Sequence, residues 1–210
     1  MPPRRRTTPI TRLASAPTQT AALRPPTGGA RERLLRAADD LFYHRGVRSV
    51  GIDEIIAVAG VAKASLYKHF ESKDALVAEY LRLRNERWLA WFTGAVAQHA
   101  DAPRERLLAV FDVLGEWFEG EDFRGCAFQN AAVELADRAH AGYSVVLANR
   151  RAVGAYLKDL ATKAGFDDPR SVSEQLAVLA EGAIITALLD GSEKSARVAR
   201  EAAETILQTA

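Results

Sequence analysis

The chain has 210 residues and a mass of 22.9 kDa, enough for one large domain or two small ones. Hydrophobic residues make up 48% and charged residues 26%, ordinary proportions for a folded protein, and no unbroken apolar run reaches the roughly 18 residues that argue for a membrane span. A single cysteine, Cys126, excludes an intrachain disulfide and fits a reducing cytoplasm, and the net charge of +1 conceals a marked asymmetry along the chain.

Residues 1–28 hold five arginines (Arg4, Arg5, Arg6, Arg12, Arg24) and no Asp or Glu. Their Pro, Thr and Ala content shows neither helical nor strand period, so this stretch reads as a basic, unstructured tail. An acid-poor, Arg-rich start also mimics a transit peptide, but an apolar core of a secretory signal is missing. The functional reading of such a tail is an arm that follows the DNA backbone or enters a minor groove.

Helical signals begin near Ala30. Leu34, Leu35, Ala38, Leu41 and Phe42 form the stripe of an amphipathic helix, with His44 and Arg45 near its end and Gly46 placed to close it in a left-handed conformation. Ile52, Ile55, Ile56 and Ala59 share a face of a second, short helix. Gly60 follows, then a third short helix to about Phe70. Ser72 is placed to cap a long fourth helix from Lys73 to the neighbourhood of His99. Further helices are expected near 103–119, 125–137, 140–164, 170–190 and 193–208, separated by Pro- and Gly-containing breaks. No segment shows sustained period-two alternation. The expected fold is all-α, with about nine helices: a three-helix unit over 29–75 followed by a helical domain over 76–210.

Three short helices with a tight Ala-Gly turn before the third have the layout of a DNA-binding helix-turn-helix. Ile52, Ile55, Ile56, Val61 and Leu66 are spaced to pack with Leu41 and Phe42. That leaves Lys63, Ala64, Tyr67, Lys68 and His69 facing outward, a basic, aromatic and hydrogen-bonding set suited to phosphates and base edges. Residues 59–76, A-G-V-A-K-A-S-L-Y-K-H-F-E-S-K-D-A-L, closely resemble the signature of the tetracycline-repressor (TetR) family. The upstream segments A-A-D-D-L-F-Y-H-R-G and I-D-E-I-I-A-V-A-G fit as well.

The resemblance implies that Lys63, Ser65, Tyr67 and His69 contact operator DNA, with Tyr67 and His69 on phosphates. It also places Lys73 at a phosphate beside the start of the fourth helix. Lys68 and Ala64 occupy variable positions that tune base choice. Two departures stand out. The hydroxyl pair usual before the second helix is here Val50 and Gly51, with Ser49 one residue away as a candidate substitute. The usual cap before the third helix is Ala62, which forfeits about 1 kcal/mol of capping.

The same resemblance implies that residues 76–210 form an effector-binding and dimerisation domain. Aromatic residues cluster in its first half: Trp88, Trp91, Phe92, Phe111, Trp117, Phe118 and Phe128, with Tyr143 beyond. Cys126, Gln129, Asn130 and Glu134 interrupt the apolar pattern, the last two sharing a helical face. Apolar walls with a few convergent polar groups describe a site for a small, largely apolar effector; an ordinary aromatic core is the alternative. The segment around Arg124-Gly125-Cys126 also resembles a TetR subgroup with F-R-G-C-x-F-x-N-A-x-x-E. Cys126 lacks a second Cys or metal-ligand neighbours, so a buried structural thiol is expected rather than a redox sensor.

Leu176, Leu179, Ala183, Ile184 and Ala187 in the penultimate helix, with Ala199, Ala203 and Ile206 in the last, are candidates for a four-helix homodimer interface. Burial inside one subunit is the alternative. No metal-ligand spacing, phosphate-binding loop or other catalytic motif occurs, so neither a metal, a cofactor nor an enzyme is expected. The expected function is a bacterial cytoplasmic transcriptional regulator, a repressor that binds a palindromic operator as a homodimer and is released by an effector. The rivals are a DNA-binding protein without effector and a helical enzyme.

Overall fold

A computed structural model describes residues 28–210. The basic tail therefore lies, but for its last residue, outside the described residues. Within them nine α-helices and no strand occur: α1 (Ala30–Arg45), α2 (Ile52–Ala59), α3 (Lys63–His69), α4 (Lys73–His99), α5 (Pro103–Phe118), α6 (Ala127–Leu135), α7 (Ala141–Lys163), α8 (Pro169–Asp190) and α9 (Lys194–Thr209).

The helix ends follow local chemistry. Ser72 Oγ accepts a hydrogen bond from Ala75 N at 3.1 Å, which satisfies one of the open donors of α4. Gly51 and Ala62 precede α2 and α3 without any side-chain cap, and Ser49 sits in the preceding turn, two residues before Gly51. Ser49 is thus not the substitute cap for α2. Between α2 and α3, Gly60 adopts φ 61°, ψ 44°, while its N–H and that of Val61 donate to Ala57 O and Ile56 O, both at 3.2 Å. That left-handed turn sends the chain sharply into α3, and a Cβ there would cost about 1 kcal/mol. Gly46 differs from expectation: φ is positive (86°) but ψ is 152°, so the chain leaves α1 extended rather than left-handed helical.

Two apolar cores form. In the first, Leu34, Ala38, Phe42, Val50, Ile55 and Leu66 of the α1–α3 region pack with Leu76, Val77, Tyr80 and Leu81 of α4. In the second, Phe92 and Val96 from the far half of α4 join α5, α7, α8 and α9. The long α4 therefore belongs to both. Helix α6 joins the first core, where Phe128, Ala131 and Leu135 are buried although they follow α5 in the chain. The packing consequently does not divide near residue 75.

Among the described residues α8 is the one helix that combines the length and the apolar composition of a membrane span. Its most apolar 18-residue window has a mean hydropathy of 1.5. Its apolar residues lie on all sides of the helix, and it packs against α5, α7 and α9.

Recognition helix, effector cavity and family

The exposed face of α3 is built from the residues that its short core leaves over. Leu66 is fully buried and Ser65 half-buried, whereas Lys63, Ala64, Tyr67, Lys68 and His69 are exposed, Tyr67 by 49%. About half of Tyr67 is open to solvent, and its hydroxyl makes no hydrogen bond among the described residues, which leaves it free for an acceptor outside the protein. Lys63 Nζ lies 2.9 Å from Asp53 Oδ1 on the first turn of α2, and this pairing holds the lysine above its usual pKa. The ion pair ties the starts of α2 and α3 together and offsets a carboxylate that would otherwise repel DNA phosphate.

Lys73 is placed differently from expectation. Its Nζ donates to Val47 O at 2.6 Å and lies 5.9 Å from the centre of the Phe42 ring. Partial burial lowers its pKa. In this conformation the ammonium braces the α1–α2 turn.

That turn is also held from below. Glu134 of α6 accepts a hydrogen bond from Arg48 N at 2.9 Å, and a Cβ at Gly46 would stand 2.8 Å from each of its carboxylate oxygens. Nearby, Tyr43 of α1 donates to Gly125 O and accepts from Arg124 N, both at 3.0 Å. Two polar ties therefore fasten α6 and its leading loop to the recognition unit. Gly46→Ala is expected to destabilise the protein by about 2 kcal/mol or more, from the positive φ and the contact with Glu134. Adding Glu134→Ala removes the contact but not the φ strain, so the double variant recovers part of the loss. Urea unfolding of the four proteins in the cycle measures that coupling directly.

On the other side of α6 lies a cavity of about 810 Å³ between α4, α5, α6, α7 and α8. Of the aromatic and polar candidates, Trp88, Phe92, Trp117, Cys126, Phe128 and Tyr143 line it. Trp88 stacks on Phe92 with ring centres 4.7 Å apart, and Trp117 meets the Trp88 edge at 5.9 Å. Five candidates do not line it. Phe111 and Phe118 are buried within the second core and Trp91 packs against that core, because α5 and α4 each bury more than one face. Asn130 Nδ2 donates to Arg124 O at 3.0 Å, bracing the loop before α6, and Glu134 faces the α1–α2 turn. Burial pushes the Cys126 thiol pKa up, so it is poor in thiolate.

Gln129, one of the polar residues singled out in the sequence, lines the cavity, whereas most of the polar lining was missed: Arg84, Arg87, Asn149, Arg150, Arg151, Glu174 and Glu181. The signal was present in the Arg150-Arg151 pair, which interrupts the apolar half of α7, and in Arg84 and Arg87 beside Trp88.

The comparisons with known proteins agree with this geometry. The family model for bacterial regulatory proteins of the tetR family matches residues 34–80, from α1 to the first turns of α4. SCO4454, a TetR-family transcriptional regulator from Streptomyces coelicolor, is 34% identical, and the match covers 86% of this chain and 95% of that one with a TM-score of 0.78. The chain belongs to the TetR family. It is a DNA-binding transcriptional regulator.

A TetR-type regulator from Streptomyces avermitilis, sav143, is 32% identical over 84% of this chain and 99% of its own, with a TM-score of 0.73. The transcriptional repressor KstR2 of Mycolicibacterium smegmatis is 33% identical over 110 residues, 51% of this chain. The chain spans about half the length of KstR2, 52%.

TetR-family regulators dimerise, and the face expected to do so here needs correction. Leu176, Ala183, Ile184, Ala187, Ala199 and Ala203 are buried inside the subunit, Leu179 packs against the same core, and Ile206 is half-buried. The outward stripe of α8 is instead Val178, Gly182, Ile185 and Leu189, with Val198 exposed on α9. Because α8 is apolar on all sides, residue type alone left the phase of its outer face undetermined.

Proposed function

We propose that this TetR-family protein is a repressor that binds a pseudo-palindromic operator as a homodimer and leaves it when a small molecule enters the cavity. One observation carries the reading: α4 begins directly after the exposed recognition helix and forms, at Arg84, Arg87, Trp88 and Phe92, a wall of the cavity. A single rigid element thus senses the cavity and holds the DNA-reading unit. Lys63, Ser65, Tyr67 and His69 are the proposed DNA contacts, Lys68 and Ala64 the proposed base-selecting positions, and backbone groups at the start of α4 supply a further phosphate site.

In a homodimer joined through the outer stripe of α8 with α9, two copies of α3 would enter successive major grooves about 34–36 Å apart. The effector can act only through unequal affinity for the DNA-competent and released arrangements of α4 and α6. A repressor of this kind works on chromosomal DNA, which places it in the bacterial cytoplasm, and its role is regulatory rather than catalytic. Footprinting of the full chain on its own promoter region tests the reading. Two protected half-sites one helical turn apart support it, and an absence of symmetric protection overturns it.

A further inference from the structure

A belt of arginines crosses the cavity. Asn85 and Asn149 are hydrogen-bonded at 2.8 Å, and the Phe92 and Tyr156 rings lie 5.9 Å apart, so α4 and α7 run side by side in the same direction. Arg84, Arg87, Arg150 and Arg151 therefore share one level of this helix pair. Tyr143, Val146 and Leu147 line the cavity on one side of that level, and Phe92, Val153 and Leu157 on the other.

The charges at that level do not cancel. Arg84 and Arg87 both pair with the one carboxylate of Asp39, at 2.7 and 3.0 Å. Glu181 is taken by Arg150, and Glu174 by Arg170, which lies outside the lining. Arg151 has no carboxylate within ion-pair distance among the described residues, and no other acidic side chain lines the cavity. Two positive charges are thus left without a carboxylate of their own at the rim of a mostly apolar chamber. Guanidinium groups in that setting favour a planar or tetrahedral oxyanion through charge-assisted hydrogen bonds.

We propose that the cavity takes an organic anion with an apolar, ring-bearing body, its acid group held by Arg87 and Arg151 and its body among Trp88, Phe92 and Trp117. This rests on the reading of the cavity as the effector site and adds the chemical class of the ligand.

A matched pair of fluorescent probes tests it on the full chain. 8-Anilino-1-naphthalenesulfonate and N-phenyl-1-naphthylamine share one ring system and differ by the sulfonate. An apolar chamber without the arginines would prefer the neutral probe, since desolvating a sulfonate is costly. The expected result is binding of the sulfonate at least about 10-fold tighter, from one or two charge-assisted hydrogen bonds. That preference should shrink to within about 3-fold in Arg87→Met/Arg151→Met, a variant checked for an unchanged melting transition.

Gly154→Trp locates the site, because Gly154 lines the cavity and a Cβ there meets nothing within 4 Å. The variant should lose both probes. Equal affinities for the two probes, or a sulfonate preference that survives the double substitution, overturn the anion proposal while leaving an effector cavity. Failure of both probes to bind, or binding that ignores Gly154→Trp, overturns the proposal together with the cavity reading beneath it.

Discussion

Tyr67→Ala/His69→Ala protein is expected to bind its operator at least about 100-fold more weakly than the parent while melting at the same temperature. Both side chains are exposed at the end of α3, and neither belongs to the first core. Removing them leaves Leu66 and Phe70, the buried residues that hold the helix in place, untouched. A hydrogen bond to a charged phosphate contributes about 1.5–3 kcal/mol, so losing two per recognition helix accounts for the drop. Electrophoretic mobility shifts give the affinity, and thermal denaturation supplies the control. If affinity stays within about 3-fold of the parent, α3 does not hold the phosphates as proposed.

The second large effect concerns the outer stripe of α8. Ile185→Arg/Leu189→Arg is expected to convert the protein from dimer to monomer and, through the loss of a second half-site, to reduce operator affinity by orders of magnitude. Ile185 and Leu189 are 44% and 78% exposed in the subunit, so charge there costs little within it. Cations near the end of α8 even suit the helix dipole. Light scattering after gel filtration reads the mass, and persistence of the dimer would show that another surface joins the subunits. The contrasting control is Ala203→Arg. Ala203 is completely buried, so that substitution should unfold the protein rather than dissociate it.

Most of the helix pattern was legible in the sequence. Period, caps and breaks locate all nine helices within a residue or two, because stripes such as Leu34–Phe42 and punctuation such as Gly60 and Ser72 act locally. The recognition surface was legible for the same reason: α3 is so short that one buried residue, Leu66, fixes which side chains are left outside. What failed were questions of which neighbour a face meets. Asn130 and Glu134 do share a side of α6, as their spacing requires, but that side serves the loop and the α1–α2 turn rather than the cavity. The α8 interface candidates failed because an all-round apolar helix offers no phase. The rim arginines were passed over because single charged residues on amphipathic helices ordinarily face water.

The double allegiance of α6 has a thermodynamic consequence. Phe128, Ala131 and Leu135 close the first core while Gln129 and Ala132 line the cavity beside the second. Neither half can then melt without stripping apolar surface from the other, and the chain should lose its structure in one transition instead of two. All three tryptophans report on the second core, whereas far-ultraviolet circular dichroism samples every helix. Superimposable melting curves from the two signals would show that warmth applied to the cavity half is felt at the DNA-reading half. A molecule that tightens the cavity would by the same linkage raise the melting point of the recognition helix it never touches.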